Sequence, residues 1–178
     1  NNYMGIQVDP SSPLYRKTAL FVGDSICYGS QDDASNRLAW AGRIAQSRGM
    51  LSYVNSAISG TSLSTARAER QGKIVSQLTR YSGWHFDYVI LHGGVNDAWD
   101  SYPVGEMSDS FDPADFDLST YAGGLEELIY NAIKYYGKTS AIGYLMNFKA
   151  PGCSTGNISD MSAYFAVGKQ ICEKWGIA

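Results

Sequence analysis

The sequence predicts an α/β domain in which a mostly parallel sheet lies between helical layers. Three observations predict it. Short apolar, β-rich runs alternate along the chain with longer stretches whose apolar residues recur at helical spacing. Several of those runs are continuously apolar, as strands covered on both faces are, rather than alternating. Three successive runs also end abruptly in turn-forming residues, at the edge where open α/β sheets place their ligands.

The elements follow in order. Ala19-Leu20-Phe21-Val22 reads as a buried strand stopped by Gly23-Asp24-Ser25. Leu38 to Arg48 reads as a helix with Gly49 as its stop, and Leu51-Ser52-Tyr53-Val54 as a second strand. Gln71 to Tyr81 is helical, with Ile74, Leu78 and Tyr81 on one face. Tyr88-Val89-Ile90-Leu91 is a strand covered on both sides. Leu125, Leu128, Ile129, Ala132, Ile133 and Tyr136 then mark a helix ended by Gly137. Ala141 to Met146 is the next buried strand. Tyr164, Gly168, Ile171, Cys172 and Trp175 give a last helix with one packed face. Strands joined through helices imply crossover connections and parallel pairing.

Composition narrows the function. The 178 residues are 44% hydrophobic and 17% charged, enough for a sizeable core in one domain. The net charge of -3 leaves no excess of cations for a phosphate backbone, which argues against nucleic acid as a partner. No apolar run approaches the ~20 residues of a membrane span. Three cysteines, Cys27, Cys153 and Cys172, are too few and scattered for a disulfide scaffold or zinc site, although Cys153 and Cys172 could pair.

Two features break the pattern. Residues 98–118 carry six acidic side chains (Asp100, Glu106, Asp109, Asp112, Asp115, Asp117) with Pro103 and Pro113 and no Lys or Arg. This long loop reads as a solvated insertion bordering the pocket, since Pro113 and a missing glycine spoil a calcium-loop pattern. The chain also opens without an initiator Met and closes at Trp175-Gly176-Ile177-Ala178. That ending reads as a helix-capping glycine followed by the start of a fifth strand, so the expectation is a domain continuing for roughly 30–60 residues more.

The residues able to do chemistry lie at the strand ends. Ser25 follows a buried strand and opens a helix, where a hydroxyl can be exposed beside backbone N–H groups. Gly60, after the second strand, lets a backbone N–H approach a ligand unobstructed. Asn96, after the third, offers a side-chain amide to a developing negative oxygen. Each alone is an ordinary turn, but together they place a nucleophile beside several oxyanion donors, each worth on the order of 3–4 kcal/mol.

At these residues the chain resembles the SGNH hydrolase superfamily, the GDSL lipases and esterases, bacterial members above all. Gly23-Asp24-Ser25-Ile26 matches its first block, Gly60 its second, and Gly94-Val95-Asn96-Asp97 its third. The resemblance implies a three-layer α/β/α, flavodoxin-like domain over residues 18–178, preceded by a linker or extension over 1–17. It implies ester hydrolysis through an acyl-serine, with Ser25 as nucleophile and Ser25 N–H, Gly60 N–H and Asn96 as the oxyanion hole. Asp24, Gly94 and Asp97 support these loops, and no cofactor or metal is implied. A small-molecule or carbohydrate ester, acetyl esters first, is the expected substrate.

The family's fourth block, Asp-x-x-His, supplies the base and follows the fifth strand; the last strand and helix of the fold are expected beyond Ala178. His85 lies at the wrong edge of the sheet, and His92 is read as shaping a strand end. Without the base, turnover falls about a million-fold in a comparable triad, so the chain alone is expected to be nearly inactive. A non-catalytic binding module and an acyltransferase are the alternatives. Other motifs fail: Cys27 occupies the last position of a Gly-x-Ser-x-Gly elbow, and no dinucleotide fingerprint occurs.

Overall fold

The computed structural model describes residues 8–29, 39–65, 74–146 and 154–178. Four strands form one sheet: β1 (Thr18–Val22), β2 (Ser52–Asn55), β3 (Tyr88–His92) and β4 (Ala141–Leu145). Every pairing is parallel and the order is β2-β1-β3-β4. The helices are α1 (Ser25–Tyr28), α2 (Trp40–Ser47), α3 (Ser76–Thr79), α4 (Val95–Trp99), α5 (Tyr121–Tyr136) and α6 (Ser162–Trp175). The chain moves from β1 outward to β2, then crosses back to β3. The switch point of the sheet therefore lies between the carboxyl ends of β1 and β3, where such folds bind ligands.

The register starts at the opposite edge. The Asp87 carboxylate accepts the Thr18 N–H at 2.8 Å and pairs with Lys17 at 3.0 Å. The Thr18 N–H and then Lys17 hold this carboxyl down to about 2. Leu20 then lies between Val54 and Val89 in the ladder.

Because side chains alternate across a strand, each sheet face has its own core. Leu20, Val22, Val89 and Leu91 pack with Leu78, Leu125, Leu128, Ile129 and Ile171 beneath α3, α5 and α6. Ala19 and Phe21 face the other way, toward Ala41 of α2. Thr120 caps α5, accepting the Gly123 N–H, so the helix starts at Tyr121, a turn earlier than its apolar periodicity suggests.

Two strand readings need correction. β3 and β4 read as covered on both faces, yet Ala141 is exposed, Gly143 and Ile90 are half-buried, and Leu145 is 46% exposed. α2 packs against β2 and leaves part of the same face over β3 and β4 open. An apolar hollow of about 280 Å³ remains there, lined by Phe21, Trp40, Ile44, Tyr88, Ile90 and Leu145 among others. At its rim the Tyr144 N–H donates to the Ala178 carbonyl at 2.7 Å, so the last residue runs alongside β4. Gly176 caps α6 with a φ of 65°.

The expected helix over 71–81 is described only from Ile74, and its helical part is the single turn of α3. Cys153 lies outside the described residues, and so does its pairing with Cys172. The acidic loop also differs from a simple solvated insertion. Its carboxylates at Glu106, Asp109, Asp112, Asp115 and Asp117 face solvent, but Tyr102 and Phe116 are buried. The Ser108 N–H donates to Glu126 of α5 at 2.8 Å, and the Ser108 and Ser110 carbonyls accept from Lys174 of α6 at 2.7 and 2.6 Å. Its backbone is tied to two helices while its charges stay in water.

Candidate active site

Three loops meet at the switch point. The first leaves β1 through Gly23. Its Asp24 side chain caps α1 by accepting the Ile26 N–H at 2.9 Å, which sets Ser25 as the first helical residue. Gly29 closes the turn with a φ of 82°. Asn55, the last residue of β2, ties this turn down by donating from Nδ2 to the Cys27 carbonyl at 2.8 Å. Burial raises the pKa of the Cys27 thiol, with the Asp24 charge adding to the effect, so this neighbour of the serine is chemically inert.

The second loop follows β2. The Ile58 N–H donates to the Gly23 carbonyl at 3.0 Å, which brings residues 58–61 beside the β1 end. Gly60 has a φ of 82°. The third loop leaves β3 through Gly93 and Gly94. Gly94 has a φ of 102°, and a Cβ there would stand 2.8 Å from the Tyr121 ring. Conformation and crowding both require glycine at that position.

Asn96, in the first turn of α4, donates from Nδ2 to the Thr61 carbonyl at 2.7 Å. That bond joins the third loop to the second and leaves the amide's other N–H free to serve a ligand. Asp97 reinforces the join: its carboxylate accepts the Ser64 N–H at 2.8 Å and the Leu63 N–H at 3.1 Å.

Exposure sorts the sequence-predicted residues. Ser25, Gly60 and Asn96 are half-buried and can meet a ligand, whereas Asp24, Gly94 and Asp97 are buried beneath them. None of the accessible three lines the apolar hollow on the sheet face. The histidines lie where the sequence reading puts them. His85 is exposed before β3, at the far edge of the sheet. His92 is 3% exposed, its ring centroid 5.9 Å from that of Trp40 and its Nδ1 3.6 Å from Asp24 Oδ1.

Asp97 carries a testable electrostatic consequence. Burial pushes its carboxyl up to about 6, against the N–H bonds of Ser64, Leu63 and Asp97 itself, which pull it down, and with the Asp24 charge pushing the same way. The folded chain therefore holds this proton more tightly than the unfolded chain, whose reference is 3.8. The contribution to stability is complete below that value and is lost as pH rises through about 6, a change of about 2–3 kcal/mol. Urea titrations of wild type and Asp97→Asn should show the wild type losing ground to the variant across that window. A difference that stays constant with pH would count against the raised pKa.

One buried residue of the site escaped the sequence reading. Gln77 of α3 is 1% exposed, and its carboxamide binds both the N–H and the carbonyl of Gly23, each at 2.8 Å. A signal was available. Residues 74, 77, 78 and 81 share one helical face, so Gln77 is a polar residue set within an apolar stripe.

A parallel sheet in flavodoxin order, with the three loops joined at its switch point, defines an SGNH-type hydrolase fold. Solved structures of that fold superpose on it. A candidate GDSL-like lipase from Bacteroides uniformis matches with a TM-score of 0.64 at 19% identity, over 91% of this chain and 81% of that one. The inhibitor-bound aryl esterase of M. smegmatis matches with a TM-score of 0.66 at 14% identity, over 90% and 81%. Another crystal structure reaches a TM-score of 0.75 at 21% identity, over 93% of this chain and 77% of the other. No curated protein matches the sequence. The profile of the GDSL-like lipase/acylhydrolase family matches residues 21–174, and the chain belongs to that family. Ester hydrolysis is the general chemistry that this membership supports.

Proposed function

We propose that the protein is a serine esterase acting through an acyl-serine intermediate, with Ser25 as nucleophile. The observation that carries the reading is the joining of three loops at one switch point, with Ser25, Gly60 and Asn96 accessible and their supports buried. Ser25 Oγ attacks the ester carbonyl carbon, and a general base takes its proton. The carbonyl oxygen becomes an oxyanion held by the N–H groups of Ser25 and Gly60 and by the free N–H of the Asn96 amide. Collapse expels the alcohol, which takes up the proton, and water then cleaves the acyl-serine to release the acid. Neither histidine is assigned to the base: His85 is at the wrong edge, and His92 is buried against Asp24 and Trp40.

A small or carbohydrate ester, an acetyl ester first, is the proposed substrate class. The exposed carboxylates of the 98–118 loop, which follows Asn96 and Asp97, favour neutral over anionic esters.

A fluorophosphonate tests the reading without knowledge of the substrate. In the full-length protein, intact-mass and peptide analysis should find one phosphonyl group per chain, on Ser25, and none on Ser25→Ala. Folded protein that takes no label, or takes it on another serine, would overturn the assignment.

A further inference from the structure

We infer that Gln77 is the positioning residue of the nucleophile loop, an inference that rests on Ser25 being the nucleophile. β1 runs out of sheet at Val22, whose ladder partner is Leu91, and Gly23 is the first residue beyond the ladder. Gly23 is buried, so each of its backbone polar groups needs a partner. The Ile58 N–H takes one share of its carbonyl at 3.0 Å. Thr61 Oγ1 stands 3.2 Å from the same carbonyl, and Gln77 closes the set: Oε1 accepts the Gly23 N–H and Nε2 donates to the Gly23 carbonyl, both at 2.8 Å. One planar carboxamide thus stands in for an adjacent strand, presenting an acceptor and a donor to the same residue.

The second N–H of the Gln77 amide completes the network. It lies 3.4 Å from Thr61 Oγ1, whose hydroxyl donates onward to the Ile58 carbonyl at 2.9 Å. The Thr61 carbonyl in turn accepts the Asn96 amide at 2.7 Å. The three loops are therefore in register through one buried side chain: Gly23 leads to Ser25, Thr61 follows Gly60, and Asn96 hangs on Thr61. The glycine matters to the same arrangement. A Cβ at Gly23 would stand 2.8 Å from both the Cys27 Cβ and the His92 carbonyl, so the close packing here requires glycine. Gln77 itself is anchored from behind, its carbonyl accepting from Ser56 Oγ at 3.3 Å.

A buried glutamine that merely fills the core would affect stability alone. One that aligns Ser25 with its oxyanion donors affects the rate of attack and leaves ligand binding intact, because misplacing reacting groups costs rate. The test measures fluorophosphonate labelling of Ser25 at several probe concentrations in the full-length wild-type protein and in its Gln77→Met and Gln77→Glu variants. Gln77→Met keeps the length and removes every bond. Gln77→Glu keeps the acceptor for the Gly23 N–H and, when ionised, loses the donors. Ser140→Ala, which removes a 2.6 Å bond to the Phe86 carbonyl at the far edge of the sheet, controls for destabilisation alone.

The maximal labelling rate should fall on the order of 10- to 100-fold in Gln77→Met, and by less in Gln77→Glu, with the half-saturating probe concentration unchanged. Amide exchange at Gly23 should quicken on the order of 10-fold or more in Gln77→Met, a measurement that needs no chemistry at Ser25. Labelled wild type with Gln77 variants as fast as Ser140→Ala would overturn this inference and leave the esterase reading standing. So would Gly23 exchange unchanged by Gln77→Met. Unlabelled wild type would instead overturn the esterase reading itself. If Gln77→Met fails to fold, Gln77→Glu alone decides by the same criteria.

Discussion

Lys174→Met is expected to lower the unfolding free energy by about 3–5 kcal/mol, the cost of leaving a buried charge without its partner. Lys174 lies in the last turn of α6, its side chain 9% exposed, and its ammonium is 2.5 Å from Glu126 Oε1. Glu126 is fully buried in α5. The ammonium also donates to the Ser108 and Ser110 carbonyls, so its three protons have three acceptors. Phe111, Phe116 and Trp175 surround it, with ring centroids 4.9, 5.8 and 5.4 Å away. Methionine fits the same space without charge or donors. The Glu126 carboxylate would then keep only the Ser108 N–H and a long 3.4 Å contact from Trp175 Nε1. The double variant Lys174→Met with Glu126→Leu removes both charges and should recover most of the loss. Urea unfolding of the three proteins checks this. A single variant costing under about 1 kcal/mol would place the pair with solvated surface pairs.

That pair also shows why some of the molecule was legible in the sequence and some was not. The site loops were legible because their determinants are local. Asp24 caps the helix it precedes, and Gly60 and Gly94 adopt the positive φ that glycine permits. Parallel pairing follows from βα alternation, while the flavodoxin-like strand order came with the family resemblance. Lys174 and Glu126, by contrast, carry no local signal that sets them apart from any other charge on an amphipathic helix. Only the packing of α6 on α5 makes them partners 48 residues apart. Gln77 was hidden in the same way, its role depending on where α3 lands against the end of β1. β3 and β4 misled for a different reason. An apolar strand has the same composition whether its second face is covered or open, and coverage belongs to neighbouring elements.

Asn96→Ala is expected to slow acylation of Ser25 by about 10²- to 10³-fold, which is about 2.7–4 kcal/mol of lost transition-state stabilisation. The reasoning starts from the two protons of its amide. One is committed to the Thr61 carbonyl at 2.7 Å, which fixes the plane of the amide before any ligand arrives. The other is then aimed without further loss of side-chain freedom, the condition under which a donor acts on the transition state. The substitution removes both, so it also leaves the Thr61 carbonyl without that donor and should cost about 1 kcal/mol of stability. The two effects separate in the kinetics. Lost oxyanion stabilisation lowers the maximal rate and spares half-saturation, whereas a displaced loop that disturbs ground-state binding alters half-saturation as well. Asn96→Asp sharpens the comparison, because a carboxylate of the same shape donates nothing and repels the oxyanion; it should be at least as slow as Asn96→Ala. A rate within about threefold of wild type in both variants would remove Asn96 from the oxyanion hole and leave that task to the two backbone N–H groups.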